Sequence, residues 1–149
     1  MTTSTFKILL IGSLLQLAGC AHYYVAENDF YHELGGAEGI ENIVDHFLFE
    51  IADDKKIEHH FEDTNIDRFR EKLMEQFCYL SGGPSEYTGD SMAVSHEKMD
   101  ITEGEFNSLV EDLIRAMESL EVPVAAQNRL LAKLVPMYDE VMGNSEVTQ

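Results

Sequence analysis

Six histidines give this chain its most adaptable chemistry, yet they are not spaced for a conventional metal site. There is no HExxH and no CxxC pair. His59 and His60 are adjacent, so on a helix they would point to different sides, and a zinc site is not supported. His96 stands apart from the others. It ends the stretch SGGPSEYTGDSMAVSH, Ser81 to His96, where three glycines and a proline interrupt an otherwise helical pattern. A lone imidazole beside apolar residues is more often a hydrogen-bonded core or surface group than a ligand. The chemistry it could do is to ligate a cofactor that needs only one protein donor, of which haem iron is the commonest. Cys78 lies among apolar residues of a predicted helix and reads as a buried, inert thiol.

Four helices must position these groups, and the sequence gives no convincing strand. Ile40, Ile43, Val44, Phe47, Leu48 and Ile51 recur at helical spacing. A second helix carries Ile66, Phe69, Leu73, Phe77 and Leu80 and is entered through Thr64 and Asn65, both good caps. The third runs through Phe106, Leu109, Leu113 and Met117 and opens with Thr102 and Glu105 at capping-box spacing. The fourth follows Pro123, with Leu130, Leu131, Leu134 and Tyr138, and Pro136 should kink it. Gly35-Gly36 precedes the first helix, and Gly82-Gly83 falls where the second must stop. From Gly82 to Gly89 the chain has no apolar period, which predicts an extended loop; Ser91 to Glu97 then leaves room for barely two turns of helix. Gln76 and Tyr79 read as solvent-facing, and His59 and His60 as surface or edge residues.

A chain of 149 residues with 44% hydrophobic residues is one globular domain by size and composition. With 10 basic against 28 acidic residues its formal charge is −18, which disfavours nucleic acid and anionic membrane surfaces as partners. The N-terminus differs in kind. One lysine precedes an apolar run from Ile8 to Leu17, too short to span a bilayer, and Leu17-Ala18-Gly19-Cys20 resembles the lipobox of bacterial lipoproteins. Residues 1–19 are therefore expected to be a signal peptide and Cys20 the lipidated first residue, with a tether over 20–29, a domain over 30–144 and a tail over 145–149. Ala21 is not an acidic retention residue, so the expected location is the outer membrane, facing the periplasm.

The domain resembles the group I truncated haemoglobins, and the residues that carry the likeness are FYHELGG at Phe30 to Gly36, VDHF at Val44 to Phe47, Asp53-Asp54, HF and DTN around Phe61 to Asn65, SGGPSEYTG at Ser81 to Gly89, and SMAVSH at Ser91 to His96, with EVP at Glu121 to Pro123 in place of a GVP turn. The resemblance implies an all-α, two-over-two helical sandwich around haem b, with His96 as proximal iron ligand and Met92 one turn earlier against the porphyrin. It places Phe47, Phe61, Phe77 and Leu109 in the cofactor pocket. Leu48 replaces the tyrosine that often follows the phenylalanine, and Phe69 and Leu73 stand where relatives place leucine or glutamine, and glutamine, so the distal side reads apolar. Lys72 falls where some relatives hold the iron or a haem propionate, and the propionate is the simpler role.

Three functions stay open on these residues: reversible binding of dioxygen, NO or CO as carrier, scavenger or sensor; a haem enzyme such as a nitric oxide dioxygenase or a peroxidase-like protein fed by an external reductase; and a haem-free scaffold tethered to the envelope. No flavin or nicotinamide fingerprint occurs in the chain, which favours ligand binding over an enzyme. A monomer is expected.

Overall fold

The computed structural model describes residues 30–144; the expected signal peptide, Cys20, the tether and the C-terminal tail lie outside the described residues. The elements are α1 (Phe30–Glu33), α2 (Gly36–Asp53), a 3-10 turn (Glu58–Phe61), α3 (Ile66–Leu80), α4 (Met92–Ser95), α5 (Glu103–Ser119), α6 (Val124–Leu134), a second 3-10 turn (Val135–Met137) and α7 (Tyr138–Val141). The four long helices make an all-α, two-over-two sandwich, in which α2 packs against both α5 and α3, and α6 closes on α1 and α3.

Periodicity decides which faces meet. In α2 the residues buried at helical spacing are Ile40, Ile43, Val44, Phe47 and Ile51; α3 adds Leu73 and Phe77, α5 adds Leu113, Ala116 and Met117, and α6 adds Leu130. Phe77 is only 2% exposed, and its truncation to alanine would cost about 3–5 kcal/mol. The helix starts follow the sequence closely. Asn65 Oδ1 accepts from the Arg68 N–H at 3.0 Å, and Thr102 with Glu105 forms a complete capping box. Pro136 does more than kink the fourth helix. Lacking an N–H and crowding the preceding turn, it ends α6 at Leu134 and leaves a 3-10 turn before the single turn of α7.

Gly82, at φ +81, takes the left-handed conformation that stops α3. Its neighbour Gly83 is needed for a different reason: a Cβ there would lie 2.5 Å from the Tyr31 ring and 2.6 Å from Cys78 Sγ. The loop can therefore leave α3 only by passing flat against α1. Cys78 is buried, and the Ser85 N–H donates to its sulfur at 3.3 Å.

One buried carboxyl works against stability. Asp112 on α5 is fully buried, its Oδ2 has no hydrogen-bond partner, and burial pushes its pKa up to about 6 despite the guanidinium of Arg115 on its other oxygen. A carboxyl raised in the folded state holds a proton that the unfolded chain releases, so its contribution to stability falls as pH rises from about 4 through about 6. Asp112→Asn is expected to melt several degrees above the wild type at pH 8 and to lose that advantage near pH 4, as followed by circular dichroism.

Candidate functional site

A cavity of about 690 Å³ opens between α3, α4, α5 and the segment around α7. Phe47, Phe61, Phe69, Lys72, Leu73, Phe77, Met92, His96 and Leu109 all line it. Leu48 does not. It lines a smaller cavity of about 260 Å³ that shares Phe61 and Phe69 with the first, so those two rings stand between Leu48 and the main space. They lie 5.4 Å apart, centroid to centroid. Leu48, expected in the cofactor pocket, lines the adjoining cavity and not the main one.

His96 reaches the cavity from the end of α4, a single turn started by Ser91, whose Oγ accepts from the Val94 N–H at 3.3 Å. The Met92 carbonyl accepts from the His96 N–H at 3.0 Å and from its ring Nδ1 at 2.8 Å. A carbonyl can only accept, so Nδ1 carries a proton, and in the neutral ring the lone pair is on Nε2. The hydrogen bond also fixes the ring's orientation, as the outer partner of a metal-bound imidazole does.

The loop before α4 is extended, as its composition predicts, and it is stapled to α3. The Thr88 N–H and hydroxyl donate to Glu75 Oε2 at 2.9 and 2.8 Å, and Lys72 Nζ donates to Glu75 Oε1 at 2.8 Å. Lys72 and then Thr88 hold the Glu75 carboxyl down at about 2. The same ammonium also bonds Glu71 Oε1 at 3.0 Å and Thr88 Oγ1 at 2.7 Å, and its carboxylate partners raise its pKa. Lys72 therefore lines the cavity as a protonated, anchored cation at its rim, with Arg68 and Tyr87 nearby on the lining.

Two residues read as surface groups in the sequence take part in the site. Gln76 is 7% exposed and lines the cavity, where its Nε2 meets only the thioethers of Met92 at 3.7 Å and Met137 at 3.5 Å, both weak acceptors. The signal was present: Gln76 lies three residues after Leu73, on the buried face of α3. His60 lines the cavity beside Phe61. Nor do His59 and His60 diverge; the 3-10 turn stacks their rings 4.0 Å apart, with both Nε2 atoms near Glu105. Tyr79 is exposed, as its position predicts.

The profile of the bacterial-like globin family matches residues 29–143. A group 1 truncated haemoglobin of Mycolicibacterium paratuberculosis is 30% identical over 111 residues, covering 74% of this chain and 82% of that protein. Among solved structures, the Fe(III) form of the Tetrahymena pyriformis truncated haemoglobin superposes with a TM-score of 0.73 at 24% identity, over 76% of this chain and 97% of that one. The 2/2 haemoglobin of Synechococcus sp. PCC 7002, solved in a cyanomet state with covalently attached haem, gives 0.72 at 22% identity, over 76% and 98%. At these identities the two structures speak to the fold.

Proposed function

This chain belongs to the bacterial-like globin family, and from that premise we propose that it binds haem through His96 and serves as a receptor for a diatomic gas, dioxygen, NO or CO. The observation that carries the reading is the His96 ring on the wall of a large apolar cavity, with its Nδ1 bonded to the Met92 carbonyl and its Nε2 not used by that bond. The residues fit the cofactor. A volume of about 690 Å³ lies inside the range of about 300–1,000 Å³ typical of small-molecule sites, and the lining is mostly aromatic and aliphatic. When bound, the haem iron supplies an open coordination position for the gas.

The rest belongs to the chain. His96 donates its lone pair while Met92 O keeps the ring from turning. Phe61, Phe69, Leu73 and Phe77 exclude water, and Lys72 and Arg68 offer positive charge at the rim to the cofactor's carboxylates. No CxxCH occurs in the sequence, so haem b is held without thioether bonds. Absorption spectra of the purified protein in ferric, ferrous and carbonyl forms test this: a Soret band that shifts with carbon monoxide is expected, and a protein that takes up no haem sinks the reading.

The segment before Phe30 adds a place. Among the described residues no helix is long and apolar enough to cross a membrane; the attachment proposed here is lipid at Cys20. One acyl chain binds a bilayer only weakly, with an association constant of about 10⁴ M⁻¹, so a multiply acylated cysteine is implied. Metabolic fatty-acid labelling of the wild type, absent in Cys20→Ser, is the expected result; wild-type protein found wholly in the cytosolic fraction would refute the envelope location.

A further inference from the structure

We propose that His59, His60 and Glu105 form a site for one divalent cation of the zinc and copper class, at the edge of the cavity that His96 lines and without using His96 as a donor. The three donors come from two elements that meet at the corner of the cavity, the 3-10 turn and the first turn of α5. His59 Nε2 lies 3.4 Å and His60 Nε2 3.3 Å from Glu105 Oε1, and all three donor atoms fall within 4.8 Å of one another. A tetrahedral ion with bonds of about 2.1 Å sets its donors about 3.4 Å apart, so the cluster needs little movement to close on one.

One buried polar atom here has no hydrogen bond within the protein. His60 Nε2 is buried and has no hydrogen-bond partner, although the carboxylate is close by. An orphaned buried nitrogen is costly, and a metal ion that accepts its lone pair removes the cost. Glu105 is oriented for the purpose: its Oε2 accepts from the Thr102 N–H at 2.8 Å and from the Thr102 hydroxyl at 2.6 Å, which leaves Oε1 turned to the imidazoles. The His59 side chain is 52% exposed, so an ion can enter and retain water on its remaining positions. Two imidazoles and one carboxylate suit borderline metals; calcium and magnesium prefer all-oxygen cages.

Calorimetric titration of the full chain with zinc(II) at pH 7.5 tests the proposal. The wild type is expected to take up one zinc saturably in the micromolar range and to melt higher with it. His60→Gln and Glu105→Gln should each weaken binding by about tenfold or more and lose the thermal shift, while His46→Gln behaves as wild type. Glutamine can still complete the capping box at position 105, so the Glu105→Gln chain keeps its α5 start. No saturable uptake by the wild type, or either cluster variant binding as tightly as the wild type, overturns the assignment. Calorimetry reads zinc alone, so the result stands apart from whether the cavity holds haem.

Discussion

His96→Gly is expected to strip the protein of its Soret band, and free imidazole added to the variant is expected to restore it. The His96 ring is on the cavity wall and is held in place by a backbone carbonyl. On the proposed reading, removing it takes away the iron's protein ligand and leaves the apolar lining with Lys72 and Arg68 to retain the cofactor. The backbone should tolerate the change, because α4 is closed by the His96 N–H to Met92 O bond, which glycine keeps. Imidazole rescue separates ligation from folding: a variant that merely misfolds will not recover its spectrum, and one that holds haem as well as the wild type without added imidazole shows that another residue is the ligand.

Dioxygen release should be fast, and Leu73→Gln should slow it. Dioxygen gains from a hydrogen-bond donor because its outer atom takes on negative charge when held, whereas carbon monoxide gains much less. Phe69 and Leu73 offer no donor. The Gln76 amide is turned between the sulfurs of Met92 and Met137, beside the helix turn that carries His96, and Lys72 is tied to Glu71, Glu75 and Thr88. One added bond is worth about 0.5–1.5 kcal/mol, which is about a two- to tenfold slower off-rate by stopped flow. Gln76→Met should leave the rate unchanged. A lysine ligand would have to shed its proton and its three partners, so Lys72→Ala should alter the ferric spectrum little. Wild type releasing dioxygen as slowly as Leu73→Gln, or a low-spin ferric spectrum lost in Lys72→Ala, would defeat this reading of the pocket.

Features set by nearby residues were readable in the sequence. The apolar spacing of Ile40 to Ile51, the Thr102 cap, the glycines that end α3 and the unpatterned stretch before His96 each act within a few residues of themselves. What escaped depends on distant partners. Leu48 lines an adjoining cavity that shares the Phe61 and Phe69 rings with the main one. Gln76 and Asp112 are polar groups on buried faces, where periodicity marks the face but chemistry argues for solvent. The convergence of His59 and His60 needed both a 3-10 backbone and a carboxylate more than forty positions further on.

The short elements beside His96 have a consequence for how the molecule opens. Neither α4, α7 nor the 3-10 turn between α6 and α7 contains a fully buried residue, and α4 packs against α7. The four long helices keep a core that does not need them. Local stability follows buried contacts, so this pair is expected to open more readily than the long helices. Its amides should exchange with solvent deuterium well before those of α2 and α5, and filling the cavity should slow them selectively. Haem would then enter by the transient parting of α4 from α7, with the remaining helices already folded to receive it.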